Sequence, residues 1–249
     1  MKQFFLLLVL CLMFSGCEKP SDCVESSGAI ITKDVLVQPF KKIKVYRGIE
    51  VVITQGEEYK VQIVAGKNFI DNVEVSQNGE QIIFKDEASC NWVRAYGATK
   101  ILVTTPTLEE VYSKTDRNIS SNGVLTFPYL SFISIDKDGD GESGAGTGDF
   151  ILNVQNNYLN IANNNVSRFY LSGQTNTANF NFYFGDGRIE AENLIAKNII
   201  IYHRGSNDMV VYPTESITGT MVSTGNIILK NVPPIVDVEE LYQGRVIYP

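Results

Sequence analysis

The chain has one histidine, His203, in 249 residues. Zinc sites built on a pair of histidines are therefore excluded, and a Ser-His-Asp type of triad has a single imidazole to draw on. Basic residues are in deficit: 21 Lys and Arg stand against 28 Asp and Glu, for a formal charge of −7. Phosphate backbones are bound by basic faces, so nucleic acid is excluded as a partner. Long apolar runs are missing too. The longest, Phe4 to Phe14, has eleven residues, where a spanning helix needs about 20. No window sustains the 3.6-residue apolar spacing of an amphipathic helix. What is present is ordinary globular composition, 44% hydrophobic, enough to bury a core and unlike a disordered chain.

The first sixteen residues, MKQFFLLLVLCLMFSG, have the form of an export signal. Lys2 supplies the positive start and the short apolar run follows. The run ends in Phe14-Ser15-Gly16-Cys17, which resembles a bacterial lipoprotein box. In that arrangement Cys17 is lipidated and becomes the mature N-terminus. Several acyl chains anchor more firmly than the marginal hold of one. Residues 17–35 are polar and small at first and read as a tether. The expected location is the bacterial cell envelope, as an outer-membrane lipoprotein with candidate surface display. Cys23 and Cys90 remain after processing. An exported chain meets an oxidising compartment, so a Cys23–Cys90 disulfide is the candidate pairing. Its long loop would be worth about 4 kcal/mol in the chain-entropy account. Two free thiols are the alternative.

The body, residues 36–249, reads as all β. Residues 36–105 hold short β-branched and aromatic runs: IKVY (43–46), VVIT (51–54), YKVQIV (59–64), VEVS (73–76), QIIF (81–84) and KILVTT (100–105). Val61 and Ile63 alternate with Lys60 and Gln62, which puts the two sets on opposite faces. Asn78-Gly79 is a strong hairpin signal. An N-terminal sheet with antiparallel or mixed pairing is expected there.

From residue 106 a period sets in. Short apolar strands centre on Phe150, Phe169, Ile189, Val210, Ile228 and Val246, at steps of 18 to 21 residues. Ile119 precedes Phe150 by 31, and the excess sits in the Gly/Asp stretch 136–149. A second register runs through Ile133, Ile161, Phe182 and Ile200. A period near 20 in β-rich sequence predicts stacked coils, a parallel β-helix or β-solenoid. One coil cannot hide its own apolar side chains, but stacked coils share an interior column. Ten Asn fall within residues 153–181. They suit turns and amide ladders, with a sugar-binding face as the other reading.

The order of features resembles the bacterial auto-transporter adhesin, head GIN domain family. Phe40-Lys41-Lys42-Ile43 opens the match, followed by Gly48-Ile49-Glu50-Val51-Val52-Ile53-Thr54-Gln55-Gly56. YKVQIVAG, IDNVEVSQNGEQIIF and ILVTTPTLEEV (101–111) come next. Gly- and Ser-rich turns then precede short strands, as in SGAGTGDFIL (143–152) and STGNIILKNVP (223–233). Several turns depart from the family's Gly-Ser-Gly, among them NNNVSRFYL (163–171) and FGDGRIEA (184–191). The resemblance implies a right-handed parallel β-solenoid and brings no catalytic residues.

Three places could hold chemistry. Asp136, Asp138 and Asp140 alternate beside Gly139 and Gly141, like the first half of a calcium loop. The twelfth position is Thr147, where a bidentate Glu is needed, so Ca²⁺ is the one candidate cofactor and it rests on half a loop. Asp186, Arg188 and Glu190 alternate in FGDGRIE and could share one strand face, as a glycosidic-bond cleaving site would need. His203 reads as an exposed strand-end residue with a structural role. Phe180, Phe182 and Phe184 are expected in the core, with Tyr183 pointing out. The sequence thus predicts a non-catalytic, lipid-anchored envelope protein with an adhesin-like surface for a glycan or protein ligand. A β-helix carbohydrate-active enzyme and a structural envelope protein without a ligand are the alternatives.

Overall fold

The computed structural model describes residues 27–87, 99–137, 139–142, 144 and 146–249. Cys17, Cys23, Cys90 and Asp138 lie outside these. All seventeen strands among the described residues join one mixed sheet. Among the described residues the helical content is a single 3-10 turn at Ile70–Asn72.

The early strands follow their side-chain alternation. In β4 (Lys60–Gly66), Val61 and Ile63 are buried while Lys60 is exposed. β4 lies between β1 (Ile30–Val35) and β7 (Thr99–Thr105), antiparallel to both. The expected tether therefore gives up its last six residues to β1, whose apolar Ile30 and Ile31 supply the pairing strand. β7 continues in parallel to β3 (Ile49–Gln55). The turn 55–58 thus joins β3 and β4, two strands that do not pair, because β7 inserts between them. β5 (Val73–Asn78) and β6 (Gln81–Asp86) do form a hairpin, antiparallel with Asn78 opposite Gln81. Gly79 takes φ 58° as the first of the two turn residues, Gly79-Glu80, the positive φ that a II′ hairpin turn reserves for Gly. β6 runs on in parallel to β2 (Lys42–Val45).

Everything after β7 pairs in parallel and forms two walls. β8 (Glu110–Ser113) stacks on β2, and β10 (Tyr129–Ser134) on β8. β9 (Ile119–Ser121) stacks on β3. The chain then makes long bent strands: β11 (Phe150–Asn163), β12 (Arg168–Phe182), β13 (Arg188–His203) and β14 (Met209–Met221). The first half of β11 lies on β9 and the second half on β10. β15 (Ile227–Leu229) and β17 (Val246–Ile247) finish the first wall, and β16 (Ile235–Glu240) finishes the second. The stack crosses residue 106 without a break, over one buried cluster running from Phe40 to Leu229.

Register shows what the period means. Ile119, Phe150, Phe169, Ile189, Met209, Ile227 and Val246 lie one above another. The rings of Phe150 and Phe169 stack at 4.5 Å. The strand centres at Val210 and Ile228 each stand one residue past this column. Continuous apolar runs such as Met209-Val210-Val211 and Ile199-Ile200-Ile201 do not reveal which residue faces in. The second column has the same ambiguity: Phe132, Ile161, Phe180 and Ile201 are aligned and buried. Ile133 and Ile200, expected there, face out. Phe182 is buried over Asn163, but Phe184 lies past the strand end and is 52% exposed. The unequal steps have a cause as well: register shifts fall between Tyr170 and Ser172 and between Ala191 and Ile195.

The bend inside β12 depends on Gly173. It has φ 101° and pairs with Val154. A Cβ there would lie 2.0 Å from the Val154 carbonyl oxygen. Gly123 has φ 90° with nothing within 4 Å of the same atom. Gly123→Ala is therefore expected to cost about 1 kcal/mol, from backbone strain alone. Gly173→Ala adds a clash between rungs and is expected to cost at least about 3 kcal/mol in total. Paired thermal melts check this; equal losses would show that the rungs can part to admit a methyl group.

Candidate functional site

Within the 136–149 stretch, Asp140 and Glu142 lie against side chains that follow or belong to β2 and β8. Lys44 Nζ donates to Asp140 Oδ2 at 2.7 Å, and Lys114 Nζ and the Tyr46 hydroxyl also donate to this carboxylate. Lys114 is 1% exposed and also reaches the Glu142 carbonyl at 2.8 Å. Lys44, Lys85 and Lys114 all approach the Tyr46 ring face. Burial would raise the Asp140 pKa, but the hydrogen bonds from Lys114, Lys44 and Tyr46 outweigh it and hold the carboxyl well below the usual carboxylate range. The charge that Ca²⁺ would balance on Asp140 is thus met by two ammonium groups. Asp136 takes a different part: its backbone N–H donates to Asn164 Oδ1 at 3.1 Å, and its carbonyl accepts from Gly144. Among the described residues no three His, Cys, Asp or Glu side chains gather as a metal-holding group.

The second candidate set is divided. Arg188 Nε donates to Glu190, and Arg188 Nη1 reaches Asn207 at 3.0 Å and Asp208 at 3.3 Å. Asp186 instead accepts from Ser206 Oγ at 2.7 Å. These contacts join one turn to the next, so the charges staple neighbouring rungs. The Asp208 carboxyl is destabilised by burial, yet hydrogen bonds from Asn226 and Arg188 lower its pKa on balance.

His203 is fully buried, which corrects the expected exposed position. It stacks over Phe182 in the register and meets that ring edge-on at 6.1 Å. Its Nδ1 accepts from the Gly205 N–H at 3.4 Å, and among the described residues its Nε2 has no partner. Burial lowers its pKa to about 4, so it stays neutral at physiological pH and out of reach of a substrate. The sequence concealed this because His203 closes an apolar strand and neighbours Arg204.

The outer surface carries the amide ladders that the Asn content suggested. Asn176 Nδ2 donates to Asn157 Oδ1 at 2.9 Å, and Asn179 Nδ2 to Asn160 Oδ1 at 3.0 Å. Asn160 passes the chain on to Ser131 Oγ at 2.8 Å. Asn163 serves a turn, its amide bonded to Asn165 backbone at both ends. Two shallow clefts open between the rungs. One, of about 430 Å³, is lined by Gln155, Asn156, Asn157, Gln174, Thr175 and Asn176 among others. The second, of about 350 Å³, includes Tyr170, Glu190, Glu192 and Asn193. Neither was singled out from the sequence. The signal was there in Gln155-Asn156-Asn157 and Gln174-Thr175-Asn176, which repeat at 19 residues and pair in register.

These features define a class: an all-β protein whose parallel rungs expose long polar ladders, and whose candidate catalytic groups Arg188 and Glu190 are ion-paired, Asp186 hydrogen-bonded to Ser206 and His203 buried. The chain belongs to the family described as "Putative auto-transporter adhesin, head GIN domain", whose pattern matches residues 39–233. Its fold is similar to that of a "putative adhesin" from Bacteroides fragilis, with TM-score 0.75 and 24% identity over 89% of this chain and 97% of that one. A "putative adhesin" from Parabacteroides merdae aligns with TM-score 0.61 and 18% identity, over 89% and 97% of the two chains. A "Putative lipid binding protein" from Parabacteroides distasonis gives 0.60 and 14%, over 88% and 97%. No protein of curated function matches the chain.

The buried imidazole has a measurable consequence. A histidine whose folded pKa is depressed supports folding fully above its unfolded pKa of about 6.5. That support is lost as pH falls toward the folded value of about 4. The wild type is expected to lose about 3 kcal/mol more than His203→Leu between pH 7 and pH 4. Urea unfolding across that range checks the difference; parallel pH curves would contradict a neutral buried His203.

Proposed function

We propose that this protein is a non-catalytic, adhesin-like binding protein held at the bacterial cell envelope by lipid on Cys17. We read its stack as a right-handed parallel β-solenoid, the hand that parallel crossover connections favour. The observation that carries this reading is the register itself: four long strands, β11 to β14, pair in parallel along both walls. Such a body is a rigid display surface, with outer side chains repeated at rung spacing. Family membership supports the adhesin-like role. The alternative is a β-helix carbohydrate-active enzyme. It is disfavoured by Arg188, which ties Glu190 and Asp208 together instead of leaving a pair of carboxylates facing a substrate.

The chain reaches β1 at Ile30, so the span from Cys17 is short. The body would stand close to the membrane, with the first rungs nearest to it. The test has two parts. Cells fed an alkyne-palmitate analogue should label the wild type in the membrane fraction, and Cys17→Ser should lose both label and sedimentation. Beads coated with the protein should bind envelope or matrix preparations, with no product released from acidic polysaccharides. Unlabelled, freely soluble wild type would contradict the anchor. Product release abolished by Asp186→Asn or Arg188→Ala would contradict the non-catalytic reading.

A further inference from the structure

The middle of the second wall has an outer surface without charge. Its five successive six-residue segments are Tyr129–Ser134, 158–163, 177–182, 198–203 and 216–221. They contain no Asp, Glu, Lys or Arg, in a chain that is 20% charged. Their inward positions are buried, as at Leu159, Phe180 and Ile217. Their alternate positions form three columns on the outer side, in which Ser131 and Ala162 are themselves covered. One runs Tyr129, Tyr158, Thr177, Asn198, Ser216. The next runs Ser131, Asn160, Asn179, Ile200, Thr218. The third runs Ile133, Ala162, Asn181, Tyr202, Thr220. Charge returns at both borders. Lys42, Lys44 and Glu110 stand on the rungs before, and Asp237 and Glu239 extend the second and third columns on the rung after.

This surface is organised. Tyr129 and Tyr158 stack at 5.4 Å with planes 6° apart. Tyr202 and Tyr183 form a second pair at 6.0 Å near the opposite corner. By strand and rung spacing the two pairs lie on the order of 15 Å apart. Between them Asn160 accepts from Asn179 at 3.0 Å and from Asn181 at 3.4 Å, while donating to Ser131. These bonds fix the amides. Asn179 Oδ1 and Asn181 Oδ1 accept nothing from the described residues, nor do the hydroxyls of Tyr158, Thr177, Tyr202 and Thr218 bond to them.

We propose that this face binds an uncharged glycan chain laid across the rungs; the proposal rests on the adhesin-like reading and names its ligand class. Charge matching carries the choice. An acidic polysaccharide, a nucleic acid or a charged peptide finds no counter-charge on the face. A lipid surface wants contiguous apolar or basic area, and here Ile133 adjoins only a buried Ala162, while the exposed Ile200 is set apart from them by Asn and Tyr. A protein partner wants apolar anchors in desolvated pockets; the clefts described above open beside this face, and an apolar groove lined by Leu108, Phe127, Pro128 and Tyr129 meets it only at the Tyr129 corner. A neutral sugar polymer wants flat rings for its C–H faces and fixed donors and acceptors for its hydroxyls, repeated along its length. Each site would be weak, and many anchored copies would add avidity.

The test uses full-length protein in a non-sugar detergent, run through gels holding amylopectin, arabinoxylan, mannan or mixed-linkage β-glucan, with polygalacturonate and chondroitin sulfate as charged controls. At least one neutral polymer should retard the protein, changing less than about twofold between about 0.05 and 1 M salt. Tyr158→Ala and Asn179→Lys should each weaken retention about tenfold or more. Lys197→Glu, on the neighbouring side, should not. Retention by no neutral polymer, by charged polymers alone, or unchanged in both face variants would overturn the proposal. Self-association abolished by Asn179→Lys would overturn it too, making the face a contact between copies. Bead adhesion separates the two readings: if Asn179→Lys beads adhere as wild type does, the face is wrong and the adhesin-like role stands. If wild-type beads adhere to nothing, that role itself fails.

Discussion

Backbone pairing between successive rungs, in parallel and in register, is the constraint on which this molecule depends. A single turn of chain has apolar side chains on one side and nothing to bury them against. Once Phe150 sits on Ile119 and Phe169 sits on Phe150, each rung covers the one before it and creates the need for the next. The same pairing that fills the interior fixes the exterior. If Ile161 must lie on Phe132, then Asn160 must lie on Ser131. The outer columns are the by-product of the inner ones, and a surface of repeated polar groups comes without separate cost.

The ends of such a stack expose unpaired strand edges, which invite association. Two devices answer this. At the N-terminal end the parallel order gives way to antiparallel pairs, β1 with β4 and β5 with β6. At the C-terminal end β16 carries Asp237, Glu239 and Glu240, charges that oppose the addition of another strand. Between the ends, ion pairs hold turn to turn. Arg188 bridges to Asp208, and the 136–149 insertion is buttoned to the first rungs through Asp140, Lys44 and Lys114. Chain segments separated by 96 residues meet there, so the insertion braces rungs made far earlier.

Much of this was legible in the residues, and the failures share one cause. Strands announced themselves where apolar and polar residues alternate, as in Lys60 to Ile63, and the Asn78-Gly79 hairpin formed where its turn chemistry says it should. The period near 20 was visible because each rung needs one apolar strand per wall. Which residue faces in was not legible where the run is apolar throughout, at Met209-Val210-Val211 and Ile199 to Ile201, since a two-residue period leaves no trace there. Long-range partners were invisible for a different reason. Nothing near Asp140 in sequence shows that two lysines from other rungs neutralise it, and nothing near His203 shows Phe182 beneath it. The uncharged face needed the register as well. Its five segments look unremarkable singly and become one surface only when stacked.

Distances along one outer column test the stacking most directly. Spin labels on cysteines replacing Tyr129 and Ser216 span four rung steps, and labels replacing Tyr129 and Ile235 span five. At about 4.8 Å per step, the mean separations should centre near 19 Å and 24 Å, growing by about one rung spacing between the pairs. Equal or inverted separations would mean that the rungs do not pile up in sequence order, and the account of both core and surface would be wrong.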